Sequence, residues 1–211
     1  DRSVSRGLGD VYKRQVGAHP GYPDLMGFGR RAMAVNPAEA KAYMIYQVGA
    51  LQAFCDSYGV TLQHMKLHGA FYNTACVTPA LADAVLDGLQ AVNPNIAAMV
   101  LSGSYIAKEA ERRGIPVIQE VFADRGYTDE GTLVPRTESG AFIKDPQEAL
   151  ERVLMMVTEG KVVTNTGNTI DIVADSVCVH GDNPEAIAFT NYIREGLTKA
   201  GVTVANFQNR K

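Results

Sequence analysis

The sequence predicts an α/β fold in which parallel strands, joined by helices, form a β/α barrel. Three observations indicate it: short apolar segments alternate with longer helical ones, several helices open with a capping residue followed by proline, and polar side chains follow the strands. Such alternation is typical of parallel sheets, because parallel neighbours need a helical crossover between them. Barrels of this class carry their catalytic groups at the carboxyl ends of the strands.

Composition sets limits on the fold and on the partners. With 211 residues, 46% of them hydrophobic, the chain can bury one substantial core. The net charge of -3 argues against a nucleic-acid partner, because that contact needs a positive surface. Apolar runs of about six residues are far shorter than the ~20 of a membrane span, so we expect no membrane partner. Three scattered cysteines favour a reducing, cytoplasmic location over a disulfide framework.

Residues 1–15 differ from the rest of the chain. They are rich in basic residues and show neither a helical nor a strand period. Their sequence resembles translated sequencing-adapter read-through, so we expect them to be non-native. We expect residues 16–211 to form a single β/α-barrel domain that is truncated at its amino terminus.

Local signals predict where the helices begin. A strand ends near residues 16–19, and a loop rich in Gly and Pro then runs to Arg31. Four helices are predicted to start at a residue whose side chain accepts from a free amide, followed by a proline that has no amide hydrogen to satisfy. These pairs are Asn36-Pro37, Thr78-Pro79, Asp145-Pro146 and Asn183-Pro184. A further helix runs from about Tyr105 to Gly114.

The remaining strands are short. They are predicted at residues 62–68, 96–101, 117–122 and 176–180. Within residues 161–175, an Asn-Thr-Gly-Asn sequence between β-branched runs predicts a hairpin. In the strand 62–68, alternation places His64, Lys66 and His68 on one face. A row of basic side chains needs a polar place to point, and the mouth of a barrel is such a place.

The predicted strand ends carry imidazole, carboxylate and guanidinium groups. These are His19, His68, His180, Glu120, Asp124 and Arg125. A single histidine at a strand end is most often structural, so the prediction of a site rests on the recurrence of the pattern. Glu120 carries more weight, because it interrupts an apolar strand in which an unpaired carboxylate is costly.

Several candidates have a structural alternative. Asp124 and Arg125 form a surface ion pair of little energetic value in that alternative, and Asp182 caps the last helix. Arg30 follows Gly-Phe-Gly in a loop, where it either binds a carboxylate or phosphate or is solvated, and we favour binding.

The stretch after the basic strand has alternatives as well. Tyr72 and Asn73 either line the pocket or pack against the core. We expect His64 to lie too deep to touch substrate and to support the other groups.

Four segments together resemble the LamB/YcsF family. They are GAHPGYPDLMGFGRR (17–31), HMKLHGAFYN (64–73), QEVFADRGY (119–127) with GTLVPR (131–136), and VHGD (179–182). The resemblance implies a deformed (β/α) barrel of the glycoside hydrolase/deacetylase type, here incomplete because its first units are missing. It also implies ATP-dependent opening of the 5-oxoproline lactam to L-glutamate by 5-oxoprolinase, whose A component works with two other subunits, B and C. The sequence indicates no location for the ATP site.

The resemblance gives the candidate residues their expected roles. His19, His68 and His180 are expected to act as acid, base or ligands of a divalent metal. Glu120 and Asp124 are expected to activate water or to orient those imidazoles. The substrate-binding candidates are Arg30, Lys66, Tyr72, Asn73, Arg125 and Asp182.

Two departures from the family pattern leave other functions open. Leu67 stands where the family commonly has proline, and the amino-terminal segments that are expected to bring acidic and histidine side chains are absent. The alternatives are a metal-dependent amide or deacetylase-like hydrolase that needs no ATP, and a catalytically incomplete assembly subunit.

Overall fold

The computed structural model describes residues 15–180, 186–205 and 207. Its strands are β1 (Val16–Ala18), β2 (Leu62–Met65), β3 (Ala97–Leu101), β4 (Val117–Phe122), β5 (Lys161–Val163), β6 (Thr169–Asp171) and β7 (Ser176–Cys178). Its helices are α1 (Pro37–Ser57), α2 (Gly69–Val77), α3 (Pro79–Val92), α4 (Tyr105–Arg112), α5 (Pro146–Thr158) and α6 (Ala186–Lys199). The predicted alternation of strand and helix is confirmed.

The described strands form two sheets. The larger has the strand order β1-β2-β3-β4-β7, and the pairs β1–β2, β2–β3 and β4–β7 are parallel. The smaller is the predicted hairpin, in which β5 and β6 pair antiparallel. The α/β class with a parallel sheet is therefore confirmed.

Two of the predicted helix starts have the expected cap. Asn36 Oδ1 accepts from the Glu39 amide at 3.0 Å, and Asp145 Oδ1 accepts from two amides of the first turn of α5 at 2.8 Å. The cap predicted at Thr78 is wrong, because its side chain makes no capping bond. Thr78 lies between two consecutive helices, and its backbone amide closes α2 by donating to Thr74 O. The predicted start at Asn183-Pro184 lies outside the described residues.

The strand predicted at residues 62–68 is shorter than expected. It ends at Met65, and α2 begins at Gly69, a helix that the sequence analysis did not predict. The backbone nevertheless continues along β1, since the Lys66 amide donates to Ala18 O at 2.9 Å. The predicted alternation holds, because Met65 and Leu67 are buried. The basic side chains that alternate with them are half-buried, namely His64, Lys66 and His68.

The chain divides into two compact units, and the first comprises residues up to Met99 together with Glu109–Val117. In it α1 packs against α3. The packing is close at Gly88, where a Cβ atom would meet Met44 Cβ and a backbone oxygen of α1. The guanidinium of Arg113 binds three carboxylates of this unit, those of Asp83, Asp87 and Glu109.

The second unit comprises Val100–Lys108 and Ile118–Lys211. Within it α5 packs against α6 over a core of buried apolar residues, which are Ala123, Ala149, Val153, Ile193 and Leu197. The hairpin is held by Asp129, whose carboxylate accepts hydrogen bonds from Thr164, Thr166 and Asn168. That residues 16–211 form a single domain stays a prediction. The segment predicted to be non-native lies, apart from Gln15, outside the described residues.

The sequence predicted no membrane span and no disulfide framework. No single helix among the described residues has both the length and the apolar character needed to cross a bilayer, and α2 and α3 reach them only as a pair bent by 115°. The three cysteines are free, and two of them are buried. The cytoplasmic location stays a prediction.

Candidate functional site

The first unit holds an imidazole pair at the carboxyl ends of β1 and β2. His68 Nδ1 lies 3.0 Å from His19 Nε2, and the two rings meet edge to face. His19 Nδ1 lies 2.7 Å from Lys66 O, and His68 Nε2 lies 2.7 Å from Phe28 O. Two of the predicted strand-end histidines are therefore brought into direct contact.

The hydrogen bonds of this pair set its protonation. Both backbone carbonyls only accept, so the ring nitrogens facing them must carry hydrogen. The contact between the rings needs one further N–H, which makes three for two rings, and two neutral imidazoles supply only two. Burial lowers the pKa of His19, with a backbone bond to Lys66 as an opposing cause.

His64 is half-buried on β2, opposite Gly17 of β1, and its supporting role stays a prediction. Its Nδ1 donates to Gln63 Oε1 at 2.8 Å, and its ring occupies the space that a Cβ atom of Gly17 would need. Burial, and secondarily the charge of Lys66, lowers the pKa of His64. The absence of a side chain at Gly17 thus makes room for a neutral imidazole beneath the strand end.

The loop before Arg31 is ordered by an ion pair. Asp24 is buried and binds Arg31, and this hydrogen bond is the main cause that lowers the Asp24 pKa to about 2. Phe28 adopts a left-handed backbone with φ 54°, which is uncommon for a bulky residue. Its carbonyl is the one that faces His68, so the imidazole pair fixes the loop tip.

The other candidates of the first unit lie around that pair. Arg30 is exposed with its guanidinium 5.5 Å from the centre of the Phe28 ring. Lys66 Nζ lies 5.9 Å from the ring centre of Tyr72, which is buried on α2. Asn73 follows on α2 and is exposed. Substrate binding by these residues stays a prediction.

The second unit holds a carboxylate–imidazole pair. Asp124 follows β4, and its Oδ2 accepts from His180 Nδ1 at 2.7 Å. The His180 ring stacks on Phe122, with 5.9 Å between the ring centres. This geometry is that of a base held by a carboxylate, because Asp124 fixes the tautomer in which Nε2 carries no hydrogen.

Glu120 lies on β4 opposite Ser176 of β7 and is 2% exposed. Its carboxylate interrupts an apolar strand, and the side chain is buried with that strand. Its predicted catalytic role stays a prediction.

Arg125 is buried rather than presented to solvent. Its Nε donates to Ala141 O at 2.9 Å and its Nη2 to Val134 O at 2.5 Å. Burial is the main cause that lowers its pKa. These contacts favour a role in holding the loop after β4 over the substrate contact predicted from the sequence, since two of its nitrogens already serve backbone carbonyls. No ion pair with the neighbouring Asp124 is formed in the described part of the chain.

Two residues near His180 were not predicted as site residues. Arg136 Nη2 lies 3.3 Å from His180 Nε2, and the guanidinium lies 5.3 Å from the Phe142 ring centre. Arg136 ends the GTLVPR segment, but its distance along the chain from His180 gave no signal that the two meet. The remaining candidate, Asp182, lies outside the described residues.

The described donor side chains do not form a metal site among themselves. Among the described residues, no group of three His, Cys, Asp or Glu side chains has a geometry that could hold a metal ion. The imidazole nitrogens of His19 and His68 already bind each other and backbone carbonyls. A divalent metal at this site stays a prediction of the sequence alone.

Comparison with known proteins identifies the family. The LamB/YcsF family model matches residues 9–211. The chain is 60% identical over 189 residues to the 5-oxoprolinase A subunit of Fusobacterium nucleatum, covering 90% of this chain and 74% of that protein. It is 50% identical over 190 residues to the 5-oxoprolinase A subunit of Pyrococcus abyssi, with the same coverage of 90% and 74%.

A solved structure agrees. The lactam utilization protein from Thermus thermophilus superimposes with a TM-score of 0.86 at 42% identity, covering 95% of this chain and 80% of that one. The motifs that carry the predicted resemblance, the α/β fold and these comparisons agree, and the chain belongs to the LamB/YcsF family.

Proposed function

We propose that this chain is the A subunit of an ATP-dependent 5-oxoprolinase, which opens the lactam of 5-oxoproline to L-glutamate while ATP is cleaved to ADP and phosphate. The observation that carries the proposal is the likeness, over most of the chain, to proteins named as the A subunit of 5-oxoprolinase. The proposed partners are 5-oxoproline and two further subunits, B and C.

ATP would supply the phosphoryl group that makes the lactam carbonyl, a poor electrophile, open to attack by water. The described residues assign no position to ATP. What they supply is a general base: His180 Nε2 is the nitrogen that takes a proton from water, because Nδ1 is committed to Asp124 at 2.7 Å. Asp124 is in turn positioned to stabilise the imidazolium that forms.

The imidazole pair of the first unit supports the same class of reaction. Its three contacts use three N–H groups on two rings, which makes the pair as a whole cationic. A fixed cation of this kind stabilises negative charge that develops on substrate oxygen. We assign the pair this electrostatic role and assign the base role to His180.

Glutamate release tests the proposal. The chain, subunits B and C, ATP and 5-oxoproline are mixed completely and with each component left out in turn. We expect glutamate only from the complete mixture. Glutamate that forms with a divalent metal and without ATP would instead establish the metal-dependent hydrolase.

Substitutions separate the enzyme from an assembly subunit. His68→Ala and Glu120→Ala are expected to abolish turnover while the complex with B and C still forms, as measured by size-exclusion chromatography. Unchanged turnover in both variants would establish a scaffold role. Glu195→Ala, on the exposed side of α6, is the control and should turn over normally.

A further inference from the structure

The second unit contains a cavity of about 730 Å³ beside the base. Its wall includes Asp124 and His180, together with Arg136, Lys144 and the ring of Phe142. The base therefore lies beside a space large enough for a small ligand, with two basic side chains on its wall.

Arg136 covers the proton-accepting nitrogen of His180. A guanidinium has donors only, so the 3.3 Å contact between Arg136 Nη2 and His180 Nε2 makes the imidazole nitrogen the acceptor. Because His180 Nδ1 donates to Asp124, one neutral tautomer satisfies both contacts. In this arrangement Nε2 is not free to take a proton from water.

The wall of this cavity also carries two carboxylates, those of Asp124 and Asp145. Asp124 is engaged by His180, and Asp145 accepts from two amides at the start of α5. In the part of the chain that the structure describes, neither Arg136 nor Lys144 forms an ion pair. Asp124 Oδ1 is buried and has no hydrogen-bond partner among these residues.

The Phe142 ring holds the guanidinium of Arg136 in place. Arg136 lies 5.3 Å and Arg125 5.2 Å from the centre of this ring. Arg125 is itself fixed by two backbone carbonyls. The contact with the ring face uses none of the five N–H donors of Arg136.

We propose that Arg136 binds the anionic oxygen group of a substrate, either the carboxylate of 5-oxoproline or a phosphoryl group of ATP, and that this contact uncovers His180 Nε2 for proton transfer. A guanidinium prefers an anionic oxygen, because the hydrogen bond is then charged on both sides and can be bidentate. Anion binding thus draws Arg136 from the imidazole. The inference rests on the proposed function, whose base it would switch on.

Kinetics with Arg136→Met and Arg136→Lys, each in the complete complex, distinguish the two anions. A lost charge-assisted contact should raise one KM about 10- to 100-fold. A higher KM for 5-oxoproline alone assigns the carboxylate, and a higher KM for ATP alone assigns the phosphoryl group. Lysine keeps the charge without the fork, so its effect should be intermediate. Arg194→Met, an exposed arginine of the same unit outside this cavity, is the matched control.

Calorimetry of the same complexes with 5-oxoproline and with ATP keeps the two proposals separate. If the wild type shows no turnover, the proposed function fails, while ligand binding that weakens in Arg136→Met still supports the anion site. Unchanged KM and affinity for both ligands in Arg136→Met overturn the inference, as does a wild type that binds neither. If circular dichroism shows that both Arg136 variants are unfolded, Arg136 is structural and the inference is likewise overturned.

Discussion

His68 Nδ1 lies 3.0 Å from His19 Nε2, and each ring turns its other nitrogen toward a backbone carbonyl. Three hydrogen bonds therefore need three N–H groups on two rings. We predict that three of the four nitrogens of this pair carry hydrogen. Nitrogen-15 NMR of labelled histidine measures this directly.

The same spectrum contains an internal control. His180 donates from Nδ1 and accepts at Nε2, so it should show one protonated and one bare nitrogen. Two bare nitrogens in the pair of His19 and His68 would contradict the proton count and would remove the electrostatic role that we assign to the pair.

His64 predicts a pH dependence of stability. Burial lowers the pKa of His64 in the folded chain below the ordinary 6.5. At a pH between the lowered pKa and 6.5, His64 therefore binds a proton in the unfolded chain but not in the folded chain. Stability contributed by neutral His64 is present above pH 6.5 and is lost as the pH falls. Urea unfolding of the wild type and His64→Gln, measured across this range, should show a difference that shifts against the wild type at lower pH. A difference that is constant with pH would contradict the prediction.

The contact between α1 and α3 predicts opposite effects for two glycine substitutions. At Gly88 an added Cβ meets Met44 Cβ and Lys41 O, so Gly88→Ala should destabilise by about 1 to 3 kcal/mol. At Gly49, on α1, the nearest atom to an added Cβ is Val92 Cγ2 at 3.8 Å. Gly49→Ala should therefore stabilise by up to about 1 kcal/mol through helix propensity. Thermal unfolding measures both, and equal effects would show that the close approach at Gly88 is not real.

The hydrogen bond between Asp124 and His180 predicts a loss of turnover. In Asp124→Asn the neutral amide no longer stabilises the imidazolium, and it favours the wrong tautomer. We expect kcat to fall by roughly 100-fold or more with little change in KM. Asp171→Asn, on an exposed position of β6, is the control. An unchanged kcat in Asp124→Asn would exclude His180 as the base.

Local signals in the sequence predicted much of the fold. The bounds of β4 and the caps at Asn36 and Asp145 follow from apolar runs and capping chemistry, which act over a few residues. Helix α2 was missed because it has neither a capping side chain nor a proline at its start, and it begins directly after His68. Thr78 was misassigned because its amide closes one helix while the next begins.

Part of the site could be predicted from the sequence. Glu120 was identified because it interrupts an apolar strand, and the proximity of Asp124 and His180 follows from their positions at the ends of parallel strands. Arg125 looked available because sequence shows a charge but not the carbonyls that occupy it. Arg136 was missed because only the folded loop brings it to His180. That the groups of both units face one cavity stays a prediction.

The stoichiometry of the complete reaction tests whether lactam opening is coupled to ATP cleavage and whether His180 is needed for it. Glutamate and ADP are counted together in mixtures of this chain, subunits B and C, 5-oxoproline and ATP, with the wild type and with His180→Asn. The account predicts equal amounts of glutamate and ADP from the wild type, and neither above background from the variant. Glutamate without matching ADP, or full turnover by His180→Asn, would contradict it.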